Sequence, residues 1–143
     1  MIGQRAEALE SRPEIHPYGC YLMSLVVLAW EHGPSERSIE PRTIIALYDR
    51  AVTTNAMDSN CYIKDPQAIV DRISPGALRF VGKRDADADL LENERGIELW
   101  RLERKKPKEW WYHFVYGSYD PWVRSITRAT GELDSLRVFR VVE

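Results

Sequence analysis

The sequence predicts an α+β domain in which N-terminal helices pack on a C-terminal antiparallel sheet. Three observations predict it. Apolar residues recur at helical spacing before residue 74, alternation with a period of two begins after residue 76, and Ser74-Pro75-Gly76 separates the two regimes. No internal repeat, low-complexity tract or linker divides the 143 residues, so one domain over 1–143 is expected. A chain of this length buries roughly two-thirds of its unfolded surface.

The stretch "CYLMSLVVLAW", Cys20 to Trp30, is apolar almost all round, with Ser24 the exception, and predicts a buried central helix starting at Cys20. It falls well short of the roughly 20 residues that span a bilayer. Tyr18-Gly19 breaks the chain just before it. A second helix begins at Pro41, with Ile44, Ile45, Leu47, Tyr48, Ala51 and Val52 on one face. A third is announced by Asp65 as N-cap and Pro66 in the first turn, and turns Ala68, Ile69, Val70 and Ile73 inward. Four stretches rich in β-branched and aromatic residues then predict strands: "ALRFVG" at 77–82, "GIELWRLE" at 96–103, "WWYHFVYG" at 110–117 and "SLRVFRVV" at 135–142. The acidic "DADADLLENE" between the first two is expected to be a short surface helix or loop.

A net charge of −2, a pI near 6.0 and a 44% hydrophobic, 29% charged composition describe a globular chain without a global field for nucleic acid or an anionic membrane. The opening "MIGQRAEALESRPEI" is polar and acidic where a signal peptide needs a basic start and an apolar stretch, which predicts a cytoplasmic protein. Its two cysteines, Cys20 and Cys61, are then expected to stay reduced.

Cys20 opens the apolar helix, and no Ser, Thr, Asp or Asn precedes it to cap the first N–H groups. A helix start carries partial positive charge that lowers a thiol's pKa, and its free N–H groups can hold an oxyanion. A small core residue would read the same way. The tie-breaker is "YHFVYGSYDPW", residues 112–122. Gly117-Ser118 suits a two-residue hairpin turn pairing Tyr116 with Tyr119, Val115 with Asp120 and His113 with Trp122. Asp120 then shares a face with His113, at the diagonal roughly 7–8 Å away, where a carboxylate can orient an imidazole. Trp111, Tyr112 and Trp122 would keep such a pair partly dry. A solvated surface pair remains the competing reading.

Taken with "YGCYLMSL", "NCYIKDPQAIVD" and "LRVFRVV", a Cys heading a buried helix followed late by His-Phe-Val and Asp-Pro resembles the papain-like cysteine peptidase superfamily. The nearest branch is that of bacteriocin leader-processing peptidases and of short phage- and plasmid-borne proteins on that plan. The resemblance implies Cys20 as nucleophile, His113 as general base and acid, and Asp120 as the orienting acid, with a peptide or protein as substrate and no cofactor. Such peptidases usually carry a glutamine several residues before the nucleophile, and "RPEIHPYGC" has none. Gln4 could serve as oxyanion donor only if the N-terminal segment folds back, His16 lies nearer, and Tyr21 comes after the nucleophile where relatives often have glycine. A catalytically inactive binding module on the same fold is the alternative.

Other candidates read as structural. Cys61 is expected in an extended stretch, as packing. Cys20, Cys61, His16 and His113 lack the spacing of a zinc site, and "DADADLLE" lacks the glycine and terminal glutamate of a calcium loop. Arg101, Arg104, Lys105, Lys106 and Lys108 beside two tryptophans are expected in a hairpin loop rather than on nucleic acid. His32 suits a helix C-terminus. No feature sets an oligomeric state.

Overall fold

The computed structural model describes residues 3–33, 39–105, 108–122 and 125–142. A 3-10 turn at Glu7–Leu9 leads into α1 (Ile15–Tyr18), α2 (Cys20–Glu31), α3 (Pro41–Thr53) and α4 (Pro66–Ile73). Strands β1 (Leu78–Asp85), β2 (Glu94–Lys105) and β3 (Lys108–Val115) come next, then α5 (Ile126–Thr130) and β4 (Glu132–Val141). The class is α+β, as expected, with all strands antiparallel in the order β1-β4-β2-β3. The last strand is therefore inserted between the first two, and β3 is left at an edge.

The helices form where the caps and apolar spacing place them. Asp65 accepts the Ala68 N–H at 3.1 Å, and Pro66 in the first turn has no N–H to leave unpaired. α2 has no polar face, and from Leu22 to Ala29 its residues are 6% exposed or less. Ser24, the one polar residue there, returns its hydroxyl to the Cys20 carbonyl at 2.8 Å. α2 packs on α4 and on β3. Beneath these helices lie Ile97 and Phe139, both fully buried, with Phe139 tilted against Phe80 at 5.1 Å. α5 packs on β2 and β3.

The segment around "DADADLLENE" is loop, anchored where Arg84 makes a two-pronged pair with the buried Glu94 at 2.6 Å. The basic run lies at the β2–β3 connection, where Lys105 pairs with Lys108; Lys106 and Pro107 fall outside the described residues. His32 ends α2, its Nδ1 hydrogen-bonding the Leu28 carbonyl at 2.9 Å. Among the described residues no helix is long and apolar enough to cross a membrane.

Phe139→Ala empties the centre of this core and is expected to cost about 3–5 kcal/mol, read from the urea midpoint. Val81→Ala, on a strand residue 42% exposed, is the control and should stay within about 0.5 kcal/mol.

Candidate active site

Gly19 controls how Cys20 enters its helix. Rather than breaking the chain, Tyr18-Gly19 forms a tight joint between α1 and α2, with the Gly19 N–H donating to the Ile15 carbonyl at 2.9 Å. A Cβ at Gly19 would come within 2.5 Å of that oxygen, so only glycine permits the approach. Cys20 is then the first residue of α2, with no side-chain cap on its N–H groups.

The sulfur lies against β3. Its Sγ accepts the Phe114 N–H at 3.4 Å, and the Cys20 and Tyr21 amides also favour its anionic form. Burial outweighs these donors and, with a small opposing push from Asp120, raises the thiol to about 11. The expected lowering by the helix start is thus reversed, because a thiol 8% exposed loses more hydration than three amides return.

His113 lies on β3 and is 3% exposed. Its Nε2–H donates to Asp120 Oδ1 at 2.5 Å, which leaves Nδ1 as the basic nitrogen; Nδ1 makes no hydrogen bond among the described residues. The turn that delivers Asp120 forms as expected: Tyr116 and Tyr119 exchange backbone hydrogen bonds of 3.1 and 2.9 Å, and Gly117 takes φ +56°. The strand expected beyond it does not form. Past Tyr119 the ladder stops, Val115 has no partner in Asp120 and His113 none in Trp122. Asp120 instead closes a turn on itself, its Oδ1 accepting the Trp122 N–H at 2.9 Å. The acid therefore reaches His113 from a tight loop, held by two donors.

Cys20, His113, Trp111 and Trp122 line one recess of about 420 Å³, together with Ser125 and Thr127. Cys20 also lines a second recess of about 340 Å³, with Tyr21, Cys61, Lys64, Phe114 and Arg137. The thiol marks where the two meet. Tyr21 stacks on Phe114 with ring centres 4.2 Å apart and belongs to the second recess only. Cys61 is buried there at φ +66°, a left-handed turn and not the expected extended stretch, and burial raises its thiol to about 12. Both thiols are free.

The N-terminal segment does fold back. The Gln4 N–H donates to the Pro121 carbonyl at 2.9 Å, beside Asp120, and Arg5 sits 3.9 Å over the Trp122 ring. Gln4 itself is 1% exposed, but its amide donates to the His16 carbonyl at 2.7 Å while its Oε1 has no partner. The His16 ring hydrogen-bonds the Ala6 carbonyl at 3.1 Å. Neither residue lines the two recesses, so the oxyanion role expected of either is not prepared by the geometry. The donors at the sulfur are backbone amides.

Arg137, Lys64 and the Phe114 amide were not singled out by sequence. Arg137 carried a signal: in "SLRVFRVV" it alternates onto the row of Phe139, a charge where the period calls for an apolar residue. Among the described residues no group of three or more His, Cys, Asp or Glu is arranged to hold a metal ion. No family model matches the chain, and comparisons with curated proteins and with solved structures return no match.

Alkylation of Cys20 by iodoacetamide, followed by peptide mass spectrometry, should rise with pH toward about 11 and precede that of Cys61, whose thiol lies near 12. A midpoint below the ordinary thiol value would mean that His113 already holds the proton. Because both thiols are raised in the fold, their contribution to stability is complete below the unfolded value of roughly 8.5 and is lost as pH climbs beyond it. Cys61→Ala should flatten that alkaline loss.

Proposed function

We propose that the chain is a cysteine hydrolase of papain-like architecture, cleaving a peptide or amide bond through a thioester on Cys20. The observation that carries the reading is that His113, hydrogen-bonded to Asp120 at 2.5 Å, lines the same recess as Cys20. A thiol at a helix start, an imidazole on an edge strand and a carboxylate fixing its tautomer supply nucleophile, base and orienter.

Because burial raises the Cys20 thiol to about 11, the steps begin with the protonated thiol. Sγ attacks the carbonyl carbon as its proton passes to His113 Nδ1, and the developing oxyanion accepts N–H groups from the start of α2. Collapse breaks the C–N bond, and the amine leaves with the proton from His113. A water then gives a proton to Nδ1 and attacks the thioester, releasing the acid and restoring the thiol. Asp120 keeps its carboxylate throughout and stabilises the imidazolium of each half-reaction. The motifs that resemble those of phage- and plasmid-borne proteins on this plan favour a mobile-element origin.

One observation favours a binding module instead. The Gln4 amide is spent on the His16 carbonyl, leaving the oxyanion to backbone donors alone. Turnover separates the two readings. With a pool of unstructured peptides as substrate, Cys20→Ala should abolish cleavage and His113→Ala should lower it by roughly 10²–10⁴-fold. Peptide binding by the wild type without cleavage or thioester formation would leave the module and remove the hydrolase.

A further inference from the structure

We propose that the recess on the Cys61 side of the thiol binds a carboxylate, so that the substrate carries an acidic side chain or a free chain terminus on that side of the bond facing Cys20. The word substrate rests on the hydrolase reading; the carboxylate site does not.

Charge is distributed unevenly along the cleft. Among the described residues, the side chains lining the Trp111–Trp122 recess are uncharged apart from His113, whereas the second recess is lined by Lys64 and Arg137 and by no acid. The two cations are not equivalent. Lys64 is paired with Asp58 at 2.9 Å and also bonds Asn55, so much of its charge is answered. Arg137 has no carboxylate partner among the described residues.

Arg137 is also held in place. Its guanidinium donates to Ser135 Oγ at 2.9 Å and lies 5.7 Å from the Phe114 ring. The nearest acid along its strand, Asp134, is engaged by Arg101 at 3.2 Å and by the Ser135 hydroxyl at 2.8 Å. A half-buried guanidinium keeps most of its five donors in a planar fork, the geometry that takes a carboxylate two-pronged. Tyr21, stacked on Phe114, brings a protonated hydroxyl to the same recess. An unanswered cation on a row of core residues costs stability, and a recess that opens beside the thiol gives it an occupant.

The test uses the full chain carrying Cys20→Ala and fluorescein-labelled octapeptides read by anisotropy. In one set a single Asp is walked through an otherwise neutral, C-amidated sequence containing phenylalanine; in the other the Asp is absent and the C-terminus is free. Peptides bearing a carboxylate at the favoured position should bind about tenfold tighter than the neutral amide. The set showing the gain identifies side chain or terminus as the source. The gain should shrink as salt is raised, disappear in Arg137→Gln and be retained in part by Arg137→Lys, which keeps the charge if the glutamine variant fails to fold. Equal affinity for acidic and neutral peptides, or an acidic preference that survives Arg137→Gln, overturns the proposal. Cleavage by the wild type without acidic preference would sink the carboxylate site and leave the hydrolase, and acidic binding without cleavage would do the reverse.

Discussion

The structure depends on the contact between the start of α2 and the free edge of β3. A helix with no polar face must be enclosed on all sides, and an edge strand presents outward N–H groups that need partners. Here the two needs meet. The Phe114 N–H finds the Cys20 sulfur, and two residues on the Tyr116 N–H finds the Tyr119 carbonyl of the turn. One edge amide thus fixes the thiol and the next fixes the loop that carries Asp120. Cys20 and His113 thereby line one recess, and Asp120 reaches His113 from the loop that follows Tyr119.

That docking also sets the state of the thiol. Amide donors favour the thiolate and burial opposes it, and burial prevails. Burial makes this cysteine hold its proton more firmly than an exposed one, so in the proposed reaction ionisation accompanies attack on a bound carbonyl. The second tie works on the acid. Asp120 is clamped by the Trp122 N–H, and the loop is fastened from outside by Gln4 and Arg5, which close the N-terminus over Pro121 and Trp122. An orienting carboxylate on a short loop would wander without such a strap.

Much of this was legible in the sequence because local chemistry set it. The uniform apolarity of residues 20–30, the Asp65-Pro66 start and the change of period after Ser74 each specify an element whatever the rest of the chain does. The Gly117 turn is equally local. The path of the chain beyond that turn was not legible: an opposed strand and a tight Asp turn put Asp120 near His113 by different routes, and only the stopping of the ladder after Tyr119 separates them. The sign of the Cys20 shift was lost for a related reason, since the helix-start field is visible in sequence and the depth of burial is a tertiary quantity. Gln4 shows both sides: the N-terminal segment does fold back to the loop of Asp120, yet the Gln4 amide ends on the His16 carbonyl, a tertiary contact that no local pattern announces.

The charges near the site divide by task. The groups acting on the Cys20 sulfur are its burial, three amides and Asp120, whereas the positive charge of Arg137 acts on Tyr21. If Arg137 served to activate the nucleophile, it would have to be felt at the sulfur. If it served only to hold β4, a carboxylate from the sheet would answer it, as Glu94 answers Arg84 and Glu132 answers Arg101. Arg137 does neither. A cation placed in a cleft, away from the Cys20 sulfur and without a carboxylate partner among the described residues, suits the proposed ligand that arrives from outside, and the sign of its charge selects the chemistry of the arrival.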